Sequence, residues 1–333
     1  MLSGMRGEYK ASTKAHSDER AVTINKILVV IDPTAASQPA LERVARLPRP
    51  LDAQIMLLIC DYEPNLGVGY VGAPPEAVAS ARASLLARHG KRLVELAAPL
   101  IAQGLDVHTD ARWDYPLHEA IVRKAVEWGA DLVVKDTHHH SVLRRSIFSN
   151  TDWNLIRQCP TELLLVKPRA IGHVPVVVAA VDPLHPRDEA ASLDDRILAS
   201  AKELAHLFAG QVHVLHTFDI SPVLMTSTNG VTMPIALPIA EMTAELEKNY
   251  TEAVRALAAK HGIPRERVYV VQGHTRELLV SSTNRLNADV VVMGAVSRSA
   301  IERAFIGSTA ESVLDKLSCD VLIVKPTDVA ASV

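Results

Sequence analysis

The sequence is poor in aromatic residues, which make up 4% of its 333 residues. It also lacks a block of basic residues, and its formal net charge is -3. A surface that binds DNA or RNA needs clustered positive charge, and often aromatic rings on which bases stack. The composition therefore argues against a nucleic-acid partner, and we expect the core to be built from Val, Leu, Ile and Ala.

Cysteine is scarce as well: the chain has Cys60, Cys159 and Cys319, and no CxxC motif. An odd number of scattered cysteines favours small buried side chains in a reducing compartment over a disulfide framework. No apolar run approaches the roughly 18 residues that a membrane-spanning helix needs. Residues 1–23 lack the apolar segment of a signal peptide. The sequence thus predicts a cytoplasmic protein with no membrane partner and a disordered tail at residues 1–23.

A long segment of the chain occurs twice. Ala288–Pro326 aligns with Ala130–Pro168 without a gap, and both copies begin with Ala-Asp and end with Val-Lys-Pro. Each half also opens with an apolar run closed by Asp-Pro, at Ile27–Pro33 and at Val176–Pro183. A fixed offset over such a length indicates an internal duplication. We expect two domains, at residues 24–168 and 174–326, joined by a short linker and followed by a tail at 327–333.

Within each copy, short runs of aliphatic residues alternate with stretches of helical periodicity. Runs of this length, bounded by turn residues, are typical of strands buried on both faces. Their alternation with helices predicts an α/β fold, with two tandem doubly wound, Rossmann-like parallel-sheet domains. Ligands of such sheets bind beyond the carboxyl ends of the strands, where the strand order switches. Asp182, Gly294 and Gly307 all fall at predicted ends of this kind.

These features together resemble the universal stress protein family. The resemblance rests on the doubled strand-Asp-Pro, the strand Ala288–Gly294, the Gly-Ser-Thr helix start at Gly307 and the closing Val-Lys-Pro, and it extends from Asn25 to Pro326. The doubled chain is similar to the tandem E-type members. The resemblance implies an adenine nucleotide alpha hydrolase-like fold, a role in the stress response, and a site for ATP.

The nucleotide-binding members carry the pattern G-x2-G-x9-G-S/T and an acidic residue after the first strand. Carried over by position, Asp182 meets the ribose and the backbone of Thr217 lies against the adenine. The resemblance assigns the phosphates to Gly294, Ser297, Gly307, Ser308 and Thr309. Ser297 replaces a glycine of the pattern. Because nothing in this loop resembles a P-loop lysine or a placed base, we expect a nucleotide sensor with at most slow ATP hydrolysis.

The first copy departs further from the family pattern. Asp136 stands at the position of Gly294, His139 at that of Ser297, and Ser149-Asn150 at that of Gly307-Ser308. A carboxylate at position 136 would repel a phosphate. We therefore expect no ATP in the first copy by this mode, although Asp32 remains after its first strand.

Two other segments have a functional and a structural interpretation. His138, His139 and His140 are adjacent, and a bent loop could aim His138 and His140 at one zinc ion, with Asp32 or Asp136 completing the site. The alternative is a polar loop without a metal. The apolar insertion Asp219–Pro238 either covers the core or lines a pocket for an acyl or other apolar ligand.

The closing strands of the two copies, Leu163–Val166 and Val321–Val324, are strongly apolar. A free parallel-sheet edge of this kind would promote association. The family resemblance implies that these strands pair with each other inside one chain, as they would in a dimer. It leaves open whether two chains also form a homodimer.

Overall fold

The structure of the protein is a computed structural model. It describes residues 23–64, 74–137, 139–140, 145–146, 148–184, 188–219, 239–295 and 313–326.

Each half of the chain supplies its own series of strands. Those of the first half are β1 (Lys26–Val30), β2 (Gln54–Asp61), β3 (Asp106–Trp113), β4 (Leu132–Asp136), β5 (His139–His140), β6 (Arg145–Ser146) and β7 (Glu162–Val166). Those of the second half are β8 (Val176–Ala180), β9 (Gln211–Phe218), β10 (Val268–Gln272), β11 (Val290–Gly294) and β12 (Asp320–Val324). All of them except the short antiparallel pair β5–β6 join one ten-stranded sheet.

The strand order shows the duplication directly. Along the sheet it runs β10-β9-β8-β11-β12-β7-β4-β1-β2-β3, so each half has its first strand between its second and its fourth. Within each half the strands are parallel, for example β1 with β2 and β4, and β8 with β9 and β11. The predicted α/β fold with doubly wound parallel sheets is confirmed, and each half has its switch in strand order beside its first strand.

Helices cover both faces of the sheet. They are α1 (Pro39–Ala45), α2 (Pro75–Ala102), α3 (Leu117–Trp128), α4 (Asn150–Gln158), α5 (Asp188–Leu207), α6 (Ile239–Lys260) and α7 (Thr275–Arg285), with a 3-10 turn at Arg265–Arg267. Helix α2 packs on the sheet through one face, where residues at helical spacing are buried: His89, Leu93, Ala97 and Leu100. Helix α3 ends where Gly129 adopts a left-handed conformation at φ 71°, which a residue without a side chain accepts most readily.

The two halves meet along β7 and β12. These strands pair antiparallel, and every residue of both is buried. The partners across the seam are Leu163 with Ile323, Leu164 with Leu322, and Leu165 with Val321. A strand that would be an exposed apolar edge in an isolated half is thus covered by the same strand of the other half.

A buried ion pair crosses the same seam. Arg43 in α1 of the first half donates through Nε to Oδ2 of Asp320 in the second half at 2.7 Å, and the two residues are only 3% and 1% exposed. The other carboxylate oxygen of Asp320 accepts from the backbone N–H of Lys167 at 2.8 Å. At the duplicated position in the first half, Glu162 accepts a hydrogen bond from Ser200 in α5. Each half therefore supplies a hydrogen-bond donor to a buried acid of the other.

None of the described helices is long and apolar enough to cross a membrane.

Replacing Arg43 with Met tests the ion pair at the seam. The change leaves the carboxylate of Asp320 buried without its cation, so we expect the free energy of unfolding to fall by about 3–5 kcal/mol. Urea denaturation followed by circular dichroism measures this. Arg123→Met is the matched control, since Arg123 pairs with Asp114 at the surface, and it should change stability little. Equal effects of the two variants, or no recovery in Arg43→Met/Asp320→Leu, would contradict the interpretation.

Candidate functional site

Three of the predicted site residues meet at the carboxyl edge of the second half. Asp182 follows β8, Thr217 lies near the end of β9, and Gly294 ends β11. Ala180, the last residue of β8, is opposite Leu215 in β9, and Asp182 and Thr217 each lie two residues farther along their own segment. This edge beside β8 is the switch in strand order, where ligands of such sheets bind. Ser297, Gly307, Ser308 and Thr309 lie outside the described residues.

The backbone at Asp182 is held by a second carboxylate. The N–H of Asp182 lies 3.1 Å from both carboxylate oxygens of Asp194 in α5. Asp194 is 4% exposed, and burial raises its pKa to about 7. The side chain of Asp182 is itself 53% exposed. It is thus accessible to a ligand while its main chain is fixed.

His216 is a residue of this edge that the sequence analysis missed. Its Nδ1 donates to the backbone oxygen of Val181 at 2.8 Å and lies 3.9 Å from Oδ1 of Asp182. Burial lowers the pKa of His216, so the ring is neutral at pH 7 and Nε2 is an acceptor. Nε2 is buried and accepts no hydrogen bond from the described residues.

An aromatic stack surrounds this histidine. The ring of Tyr250 in α6 stacks on His216 with centroids 4.4 Å apart, and on Phe218 at 5.2 Å. His216 and Phe218 point to the same face of β9 because they are two residues apart on a strand. Two rings at this spacing, at the end of a strand in a chain with few aromatics, were the sequence signal for this cluster.

Gly294 is tightly packed against the protein itself. A Cβ at this position would lie 2.5 Å from Cδ2 of Leu193 and 3.2 Å from Cδ1 of Ile197, both in α5. The glycine therefore lets α5 approach β11 closely, whether or not a ligand lies beyond it. Its role as a phosphate contact remains a prediction.

The equivalent edge of the first half is a cavity of about 520 Å³. Its lining includes Asp32 after β1, Asp61 at the end of β2 and Asp136 at the end of β4. The Oδ1 atom of Asp136 accepts from the backbone N–H of Ala40 in α1. Burial raises the pKa of Asp136 to about 7. The carboxylate predicted to repel phosphate thus lies in the wall of this cavity.

The start of α4 in the first half is capped by the protein's own side chains. Ser149 accepts from the N–H of Asp152 at 3.2 Å, and Asp152 accepts from the N–H of Ser149 at 2.7 Å. The other oxygen of Asp152 accepts from Nζ of Lys135 at 2.8 Å. Asp152 is fully buried. An internal carboxylate therefore lies where the family pattern expects an external phosphate.

The predicted zinc site is only partly described. His138 lies outside the described residues, and His139–His140 pairs with Arg145–Ser146 as two short strands, which the sequence did not predict. Among the described residues, no group of three His, Cys, Asp or Glu side chains could hold a metal ion. Zinc binding by His138 and His140 stays a prediction, as does the apolar pocket, since residues 220–238 are also outside the description.

The three cysteines behave as predicted from their surroundings. Cys60, Cys159 and Cys319 are free and buried. Burial raises the pKa of Cys60 and of Cys319 to about 12. Thiols with such a pKa are protonated and unreactive at neutral pH.

Two stretches of the chain, residues 23–167 and 177–325, match the model of the universal stress protein family. The chain belongs to this family. It is 29% identical over 306 residues to universal stress protein E of Escherichia coli strain K12, which covers 90% of this chain and 93% of that relative. The predicted resemblance to the tandem E-type universal stress proteins is confirmed.

Solved structures agree with this assignment. A functionally unknown protein from Pseudomonas aeruginosa is 27% identical, with a TM-score of 0.71 over 93% of this chain and 96% of its own. A universal stress protein from Archaeoglobus fulgidus is 13% identical, with a TM-score of 0.56 over 92% of this chain and 99% of its own. At that identity the second likeness shows the fold alone.

A pair of substitutions tests why position 294 is a glycine. Gly294→Ala should lower the free energy of unfolding by about 1–3 kcal/mol, because the new methyl group overlaps Leu193. Leu193→Ala should cost less in the Gly294→Ala background than in the wild type, since it removes the overlap. A double-mutant cycle in urea measures the coupling. Strictly additive effects would show that close packing is not the reason for the glycine.

Proposed function

We propose that this universal stress protein binds ATP or a related adenine nucleotide at the carboxyl edge of its second domain, as a stress-response sensor without fast catalysis. The observation that carries the proposal is the convergence of Asp182, Thr217 and Gly294 at the switch in strand order. Open α/β sheets bind their ligands at this position.

Each described group has a suitable chemical role. The exposed carboxylate of Asp182 can accept hydrogen bonds from the two ribose hydroxyls. The neutral ring of His216 lies beside Asp182, with Nδ1 3.9 Å from its carboxylate, and Tyr250 stacks on this ring. Backbone groups near Thr217 suit the polar edge of adenine. The phosphates are assigned to the loop between Gly294 and Thr309, where the start of a helix would favour an anion.

The chemistry of this edge favours binding over turnover. The segment 294–309 contains no lysine, so it has no counterpart of the P-loop lysine that contacts transferring phosphates. His216 at this edge keeps its acceptor nitrogen Nε2 buried rather than exposed to solvent. A nucleotide held here would therefore persist and report on its own concentration.

We further propose that the protein works in the cytoplasm and that its two domains act as an internal dimer through their Val-Lys-Pro strands. Three free, buried cysteines suit a reducing compartment. The antiparallel pairing of β7 with β12 supports the internal dimer. We assign the two domains to residues 24–168 and 174–326.

The duplication supplies a matched pair of variants for the nucleotide site. Asp182→Ala removes the acidic residue of the second domain, and Asp32→Ala removes its counterpart in the first. We expect Asp182→Ala to weaken MgATP binding at least tenfold, as the loss of hydrogen bonds to a charged group does. Asp32→Ala should leave MgATP binding unchanged. Isothermal titration calorimetry on the full chain measures both.

The proposal fails if wild-type protein shows no saturable MgATP binding, or if the two variants bind equally well. Phosphate release that scales with protein through purification and is lost in Asp182→Ala would instead identify an ATP hydrolase.

A further inference from the structure

The first domain has its own cavity, at the position that corresponds to the proposed nucleotide site of the second. It lies beyond the carboxyl ends of β1, β2 and β4 and has a volume of about 520 Å³. Pockets of this size hold small organic molecules. The identity of its ligand depends on the charges in its wall.

The wall is acidic. Asp32, Asp61 and Asp136 all line the cavity, and Lys135 is the one basic residue among its described lining residues. The ammonium group of Lys135 is already paired, since it donates to Asp152 at 2.8 Å and to the backbone oxygen of Asp136 at 2.8 Å. Its charge is therefore compensated by a residue outside the lining, and the carboxylates determine the sign of the potential.

An anion also lacks the helix start that it would use in this fold. The first N–H groups of α4 are capped by Ser149, and the carboxylate of Asp152 occupies the same end. A phosphate there would have to displace a fully buried carboxylate from Lys135. The two copies differ consistently at these positions: Lys135, Asp136 and Asp152 in the first correspond to Met293, Gly294 and Ala310 in the second.

One carboxylate oxygen of the wall is left without a donor. Oδ1 of Asp136 accepts from Ala40, but Oδ2 is buried and accepts no hydrogen bond from the described residues. An unsatisfied buried acceptor of this kind is costly, and a donor from a ligand would remove the cost.

The three carboxylates lie at or just after the ends of three different strands, and this arrangement distinguishes two kinds of cation. A metal ion needs several ligands at one point, and among the described residues no such group of three exists. Carboxylates spread over a larger cavity instead suit a molecule whose positive groups and N–H donors are also spread out.

We propose that the cavity of the first domain binds a small organic cation bearing amine or guanidinium groups. Oδ2 of Asp136 accepts from one positive group of this ligand, and the carboxylate of Asp32, which lines the same cavity, adds to the negative potential around it. Asp61 is partly engaged already, because His89 donates to it at 2.8 Å. With this proposal, the chain has one site for an organic cation in its first domain and one for an anionic nucleotide in its second.

Agmatine is a suitable probe because it carries a guanidinium and an amine and no anionic group. Calorimetry on the full chain at pH 8 and fixed ionic strength should show saturable binding. Asp136→Asn keeps the shape and an acceptor for the Ala40 N–H while removing the charge, so it should weaken binding at least tenfold. Asp106→Asn is the control, since Asp106 begins β3 at the opposite end of the sheet, and it should bind as the wild type does.

The outcomes separate this site from the nucleotide site. Asp32→Ala should weaken agmatine binding and leave MgATP binding intact, and Asp182→Ala should do the reverse. The proposal is overturned if agmatine does not saturate, if inositol binds as tightly as agmatine, or if Asp136→Asn binds agmatine like the wild type. Displacement of agmatine by MgATP that persists in Asp182→Ala would also overturn it, because the cavity would then accept an anion.

Discussion

The antiparallel pairing of β7 with β12 is the contact on which the rest of the structure depends. Both strands are buried along their whole length, a condition that neither half could meet alone. When β7 and β12 pair, two exposed apolar edges are covered and ten strands form one sheet. The ion pair between Arg43 and Asp320 adds a buried polar contact across this seam, and a buried carboxylate that lost its cation would be costly.

Most of the fold could be predicted because the duplication marks each element twice. The aliphatic runs predicted the buried parallel strands, whereas the edge strand β3 (Asp106–Trp113) carries no such run. Most of its residues are polar and none is buried, so it is held by pairing with β2 rather than by burial. Asp182 could be placed because it follows a strand. His216 and the Arg43–Asp320 pair could not, since their contacts depend on tertiary packing and the latter joins residues 277 positions apart.

The two carboxyl edges differ in their side chains, although both halves share one strand order. In the second domain, Gly294 packs against Leu193 of α5, and the exposed Asp182 lies beside a neutral His216. In the first, Asp136 and Asp152 place carboxylates at the corresponding positions, and Lys135 compensates only the inner one. The strand order of the two halves is the same, so under our proposals the choice of ligand class depends on a few side chains at strand ends and at one helix start.

Native-state hydrogen exchange tests the central claim, that the two halves form one continuous sheet, most directly. The relevant amides are those of β7 and β12 that point across the seam. We expect them to exchange as slowly as the amides of the central strands β1 and β8, through global unfolding. Exchange as fast as that of the outer strand β10 would show that the seam opens on its own and would contradict the account.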